Sequence, residues 1–340
     1  MAADNHPCEP LLDVRDLRVA FRGSEAPLQA IDGLSFTLHP GEILGLVGES
    51  GSGKTVASLA LMGLLAPSES QMSFAHLRVL GHAVGSDVDA SMQGLRGREI
   101  AMIFQDPMSA LSPYQRIRDQ MDEVLREHGS LRSGERRARC VEGLLEVGIS
   151  DPDEILERYA HQLSGGQCQR ILIAMALLCD PHVLIADEPT TALDVTVQAV
   201  ILKRLGELAR ERNMGVVFIT HDLGVVAGLV DRVMVLYAGK SVEHAPVRRL
   251  FERPSHPYTQ ALMNCLPRMD GPIPIALSPL PGRPPPLDQI PSGCAFHPRC
   301  ERAEARCGLE SPGERVLEKE HASWCHFADE FGAVKRGAHE

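Results

Sequence analysis

Over the first 265 residues, short apolar runs alternate with longer helical stretches. Leu34, Phe36 and Leu38 alternate with Ser35, Thr37 and His39, the two-residue period of a half-buried strand. Residues 43–47, 183–186, 216–219 and 233–237 are continuously apolar and bounded by glycine or polar residues. Such short runs suit strands covered on both faces, as in a parallel sheet. Between them, residues 53–64, 167–178 and 197–210 read as helices. The alternation predicts an α/β fold with a mainly parallel sheet. Residues 108–160 carry no strand signal. There 116–127 and 135–147 read as charged helices, a helical insertion into the α/β core. Residues 267–298 hold ten of the 24 prolines, including Pro284-Pro285-Pro286. This stretch cannot be a helix interior or a central strand. It reads as an extended, semi-rigid connection into a small cysteine-bearing tail.

Composition narrows the class. The chain has 340 residues and a mass of 37.0 kDa, room for roughly two domains at about 150 residues each. With 44% apolar and 23% charged residues, wholesale disorder and a fibrous fold are excluded. The longest apolar run, 171–179, has nine residues, whereas a bilayer span needs about 20. Residues 1–10 carry Asp4 and Glu9 and no apolar stretch, unlike a secretory signal. The 34 basic and 45 acidic residues leave a formal net charge of −11. That argues against general nucleic-acid binding, which relies on Lys and Arg to neutralise phosphates. Of nine cysteines, Cys8, Cys140, Cys168, Cys179 and Cys265 are scattered, while Cys294, Cys300, Cys307 and Cys325 crowd into the last 47 residues. In the reducing cytosol expected here, clustered cysteines suggest a metal more than disulfides.

The strongest chemical signal is Gly48-Glu49-Ser50-Gly51-Ser52-Gly53-Lys54-Thr55, a G-x-x-x-x-G-K-[ST] P-loop placed after an apolar strand and before a helix. Its glycines let backbone amides converge on phosphate oxygens, and the helix turns its positive end toward the same anion. Lys54 is placed to reach the β- and γ-phosphates, and Thr55 to ligate Mg²⁺. A later apolar run ends in Asp187 and Glu188. Alone, two acids there can mark a solvated strand end. After a P-loop, Asp187 becomes the expected Mg²⁺ partner and Glu188 the candidate general base for an attacking water. Leu163-Ser164-Gly165-Gly166-Gln167 leads into an apolar helix with the S-x-x-Q spacing of a capping box. A cap would explain these residues alone, and the open amides also make an anion site.

These residues together resemble the ATP-binding-cassette (ABC) ATPases. Residues 163–167 match the family signature letter for letter, and the P-loop and acidic pair stand in the family's order. Phe21 matches the aromatic that stacks on adenine, and Gln105, in Met102-Ile103-Phe104-Gln105-Asp106-Pro107, the Q-loop glutamine. Ala192-Leu193-Asp194 matches the D-loop, and His221 the switch histidine. The resemblance covers residues 11–265. It implies a cassette at 1–265 with a RecA-like core, an antiparallel β subdomain and a helical subdomain near 108–160. It implies ATP bound by Phe21, the P-loop, Gln105, Asp187, Ser164 to Gln167 and Asp194. Mg²⁺ falls to Thr55, Gln105 and Asp187, and hydrolysis to Glu188, His221 and Gln105. Family members dimerise head to tail, with each ATP between the P-loop of one cassette and the signature of the other.

One cassette without a spanning segment resembles an importer subunit. Ser255-His256-Pro257-Tyr258-Thr259 and Gly293-Cys294-Ala295-Phe296-His297-Pro298-Arg299-Cys300 resemble the C-terminal extension of oligopeptide and dipeptide importer ATPases. The implied partners are a second homologous ATPase chain, two transmembrane permeases and an extracytoplasmic peptide-binding protein, with no nucleic acid. The implied location is the cytoplasmic face of the inner membrane. Nickel or glutathione import, a soluble non-transport cassette and a non-hydrolysing regulatory subunit are the alternatives. The 107 residues between Thr55 and Leu163 fit a transport cassette. The extension spans 266–340, and its cysteine spacing is C-x5-C-x6-C-x17-C. This is not the C-x2-C pairing of structural zinc. Members of the importer branch carry a [4Fe–4S] cluster, which the resemblance assigns to Cys294, Cys300, Cys307 and Cys325. Zinc with His297 or His326, and unliganded thiols, are the other readings. The cluster is expected to staple a tail too small for its own core, so Cys300→Ser should loosen the tail and leave ATP affinity largely unchanged.

Overall fold

The computed structural model describes residues 9–23, 26–129, 131–190, 194–265, 280 and 282–331. Its main sheet has eight strands. Ile100–Ile103, Val183–Asp187, Gly215–Thr220, Ile43–Val47 and Arg232–Tyr237 run parallel in that spatial order. Lys240–Pro246, His321–Ser323 and Arg315–Glu318 extend the sheet antiparallel from the Arg232–Tyr237 side. The continuous apolar runs are explained by burial on both faces. In Ile43–Val47, Leu44 and Leu46 enter one core and Ile43 and Val47 the other. In Gly215–Thr220, Val217 and Ile219 face the first core and Val216 and Phe218 the second. The two-residue period survives, but with both faces covered it leaves no polar trace in the sequence.

The first core is closed by a five-stranded antiparallel sheet of Leu12–Phe21, Leu28–Leu38, Ser70–Ser73, His76–Val79 and His82–Ala83. Helix Lys54–Leu61 lies between the sheets, contributing Ala57, Ala60 and Leu61. The second core takes Val195–Glu211, Leu223–Leu229 and the helices Ile117–His128, Ser133–Glu146, Pro152–Leu156 and Gly165–Leu177. Within 108–160 the helices are Ile117–His128, Ser133–Glu146 and Pro152–Leu156. Of the scattered cysteines, Cys140 and Cys168 are buried in this core. Ala192 and Leu193, and within the proline-rich connection residues 267–279 and 281, lie outside the described residues. Among the described residues no helix is long and apolar enough to cross a membrane.

Residues 282–331 pack against the cassette. Phe296, 2% exposed, sits among Tyr237 and Tyr258 with ring centroids 5.2 Å from each. Each such aromatic pair contributes about 0.5–1.5 kcal/mol beyond its buried area. His321–Ser323 adds a strand to Lys240–Pro246, and Trp324 N–H donates to Val242 O at 2.9 Å.

His256 caps helix Pro257–Asn264, its Nδ1 accepting from Tyr258 N–H at 3.0 Å. Its Nε2 has no partner, and burial pushes the ring's pKa down to about 3. The unfolded chain protonates this ring near pH 6.5. Unfolding therefore takes up a proton between about pH 6.5 and 3, and stability falls as the pH drops through that window. Denaturant titrations at pH 7.5 and 5.5 should differ by about 1.4 kcal/mol in total from this residue. His256→Asn, which keeps a capping oxygen, should flatten the dependence; an unchanged slope would remove His256 as its source.

Candidate active site

Strand Ile43–Val47 delivers the chain into the P-loop, and helix Lys54–Leu61 takes it away. Gly48 is obligatory on steric grounds, because a Cβ there would lie 2.3 Å from Leu236 O. Gly53, the helix N-cap, has a φ of 100°, a left-handed conformation that glycine adopts without strain. It supplies no side-chain cap, so the first amides of the helix stay open to an anion. Ser50, Gly51 and Thr55 are exposed, whereas Ser52 and Lys54 are buried. Lys54 Nζ donates to Gly48 O at 2.8 Å and Glu49 O at 2.9 Å, holding the loop closed around the ammonium group. Burial lowers the Lys54 pKa, and the Glu188, Asp187 and Glu49 carboxylates pull it back up.

Asp187 ends strand Val183–Asp187 and is 1% exposed. Burial raises its pKa, offset by a hydrogen bond from Thr55. Its Oδ1 has no hydrogen-bond partner. An orphaned carboxylate oxygen beside a threonine hydroxyl is a donor set that fits Mg²⁺, a cation preferring oxygen ligands. Glu188 follows with a φ of 47°, a left-handed conformation rare outside glycine and costing on the order of 1–3 kcal/mol. Its amide donates to Ile219 O at 3.0 Å. Its Oε2 accepts from Gln105 Nε2 at 3.0 Å, and its Oε1 lies 2.9 Å from His221 Nδ1. Three residues 33 and 83 positions apart thus meet on one carboxylate at the ends of neighbouring strands.

The signature residues form the cap their spacing predicts. Gln167 N–H donates to Ser164 Oγ at 3.2 Å, and Ser164 N–H to Gln167 Oε1 at 3.0 Å. Ser164 and Gly165 are exposed and Gly166 half-buried. Among the described residues no hydrogen bond joins this segment to the P-loop of the same chain. Asp194 caps helix Val195–Glu211 through Val197 N–H at 3.0 Å. Phe21 ends strand Leu12–Phe21, half-buried, opposite Leu28 and Ser70.

Two contacts on the P-loop escaped the sequence. Tyr258 Oη accepts from Glu49 N–H at 2.8 Å. Arg299 donates to both carboxylate oxygens of Glu49, at 2.6 and 3.0 Å. Both residues lie in segments quoted as marks of a C-terminal extension, but no spacing rule links them to a loop more than 200 positions earlier. The expectation that ATP affinity is independent of the tail loses its basis here, because the tail supplies a direct partner to the P-loop.

Cys294, Cys300, Cys307 and Cys325 come within electrostatic reach of one another. Burial raises the pKa of Cys294, Cys300 and Cys325, the last to about 11. Among the described residues no three His, Cys, Asp or Glu side chains are grouped so as to hold a metal ion. His297 Nδ1 and His326 Nε2 each face a backbone carbonyl, Cys294 O at 2.9 Å and Glu310 O at 3.0 Å. Neither the cluster reading nor the zinc reading gains a three-donor site from this geometry.

Comparison with known proteins agrees with this geometry. Residues 31–191 match the family described as ABC transporter, and residues 242–307 that described as oligopeptide/dipeptide transporter, C-terminal region. The dipeptide transport ATP-binding protein DppD of Bacillus subtilis is 44% identical over 95% of this chain and 96% of its own length. The oligopeptide transport ATP-binding protein OppD of Escherichia coli is 45% identical over 90% of each chain. Among solved structures, the dimeric post-hydrolysis state of the ATP-binding cassette MJ0796 bound to ADP and Pi superposes with a TM-score of 0.62 at 26% identity. It covers 70% of this chain and 99% of that one. A P-loop with its acidic pair, a capped signature helix and near-full-length likeness to such relatives lead to one conclusion: the chain belongs to the ABC ATPases, in the branch of the oligopeptide and dipeptide transport ATP-binding proteins.

Proposed function

We propose that this chain energises import of oligopeptides or dipeptides through a membrane permease by hydrolysing ATP. The observation that carries the reading is its likeness to peptide-transport ATPases along nearly the whole chain, including the region beyond the cassette. The ATP phosphates lie on the amides of Gly48 to Gly53, with Lys54 at the β- and γ-phosphates and Phe21 against the adenine. Ser164 to Gln167 of a second cassette complete the γ-phosphate site, with Asp194 at the same interface. The exposure of Ser164 and Gly165 supports that arrangement. Thr55, Asp187 and Gln105 would hold Mg²⁺, which supplies neutralising charge at the phosphates.

Hydrolysis follows from the trio. Glu188 accepts a proton as water oxygen attacks the γ-phosphorus, and the bond to the bridging oxygen breaks to release ADP. Gln105 and His221 hold one Glu188 oxygen each, so the base is aimed before substrate arrives. ATP closes the two cassettes and its loss opens them, which moves the attached permease by differential binding of two states. The second cassette is a homologous chain, giving a heterodimer with two permeases at the cytoplasmic face of the inner membrane and a peptide-binding protein outside. A [4Fe–4S] cluster on Cys294, Cys300, Cys307 and Cys325 would cross-link the extension through four thiolates. The likeness of residues 242–307 to the C-terminal region of oligopeptide/dipeptide transporters is what supports it.

Anaerobic affinity purification from detergent-solubilised membranes tests the reading. Two multi-spanning permeases and a second cassette should co-purify, and binding protein loaded with peptide should stimulate ATP turnover of the complex. Recovery of soluble partners or ribosomes alone would overturn the transport assignment and leave the ATPase.

A further inference from the structure

Glu49 is the one acidic residue in the phosphate-binding loop, and an anion there opposes the loop's task. Its carboxylate acts on Lys54, the cation expected to meet the phosphates. Arg299 is aimed at this group. Nη1 donates to Oε2 at 2.6 Å and Nη2 to Oε1 at 3.0 Å, the two-pronged pairing that only a guanidinium provides. The arginine side chain is 6% exposed. It is further fixed by Tyr237 Oη, 3.3 Å from Nη1, and by the rings of Tyr237 and Phe296, 5.7 and 5.8 Å away. The turn that carries it, His297–Arg299, lies between Cys294 and Cys300. Glu49 is held at its backbone as well, through Tyr258.

We propose that Arg299 is a positioning residue of the nucleotide site: by neutralising and orienting Glu49 it frees Lys54 and the loop amides for the triphosphate, so residues beyond the cassette set its affinity for ATP. Without the guanidinium, Glu49 becomes a bare anion beside an anion site and a competing partner for Lys54. The cost falls on binding, because Glu188, Gln105 and His221 are untouched.

The proposal rests on nucleotide binding at the P-loop, so the test begins with the parent full-length chain, titrated with a fluorescent ATP analogue beside Lys54→Ala. Arg299→Gln should weaken affinity about tenfold, within the range of roughly 5–150-fold usual for coupled sites. In the assembled complex the KM for ATP should rise equally while kcat stays within about twofold. Arg299→Lys, with charge but no fork, should fall between. Because the defect comes from unmasked Glu49, Glu49→Gln combined with Arg299→Gln should bind ATP like Glu49→Gln alone. Unchanged affinity in Arg299→Gln overturns the proposal. So do additive losses in the double variant, or a fall in kcat at unchanged KM. A parent chain that binds nucleotide no better than Lys54→Ala overturns the site reading itself.

Discussion

Glu188→Gln is expected to lower ATP turnover by about 10²–10⁴-fold while leaving ATP binding intact. The amide occupies the space of the carboxylate and can still meet Gln105 and His221, which stand 3.0 and 2.9 Å from its two oxygens. What disappears is the capacity to take a proton from water. Bound ATP then persists, and the closed pair of cassettes should accumulate as a stable species in size-exclusion chromatography with ATP and Mg²⁺. Single-turnover hydrolysis separates the base from product release. Turnover within about threefold of the parent would show that the proton goes elsewhere.

The largest loss of stability is expected from Glu243→Ala. Glu243 is fully buried and accepts from Ser255 N–H at 2.7 Å and His256 N–H at 2.9 Å, with His321 Nε2 at 3.0 Å. Removing it strands three buried polar partners at once, in a joint uniting strand Lys240–Pro246, the start of helix Pro257–Asn264 and strand His321–Ser323. Each buried donor orphaned in this way costs about 1–3 kcal/mol, so the loss should reach several kcal/mol. Urea unfolding should report that loss, and limited proteolysis should cut first near residue 321 as the added strand peels away. A change below about 1 kcal/mol would mean that water or a neighbour replaces the carboxylate.

The core strands were legible because short, continuous apolar runs bounded by glycine or polar residues have few other uses in an α/β fold. Ile43–Val47 sits where its sequence places it, and the P-loop and capping box are local patterns whose residues act within a few positions of one another. Of the antiparallel sheet, the period of Leu34, Phe36 and Leu38 revealed one strand, and the rest was expected through the family resemblance. Strand Leu12–Phe21 shifts register after Val14, Leu17 and Val19, and each irregularity breaks the two-residue period that reveals a strand. The meeting of Gln105, Glu188 and His221 came the same way, since nothing local joins them. Arg299 and Glu49 were out of reach altogether. Their pairing depends on how an aromatic cluster seats the C-terminal segment, which no short window of sequence contains.

That pairing spans 250 residues, and the interval has a meaning in time. At about 5–20 residues per second, a ribosome needs roughly 12–50 s to travel from Glu49 to Arg299. Through that interval the phosphate loop exists with its acidic residue unmasked and the sheet without its final strands. The nascent chain acquires this finished form of the loop only once Arg299 has been made and has folded back onto Glu49.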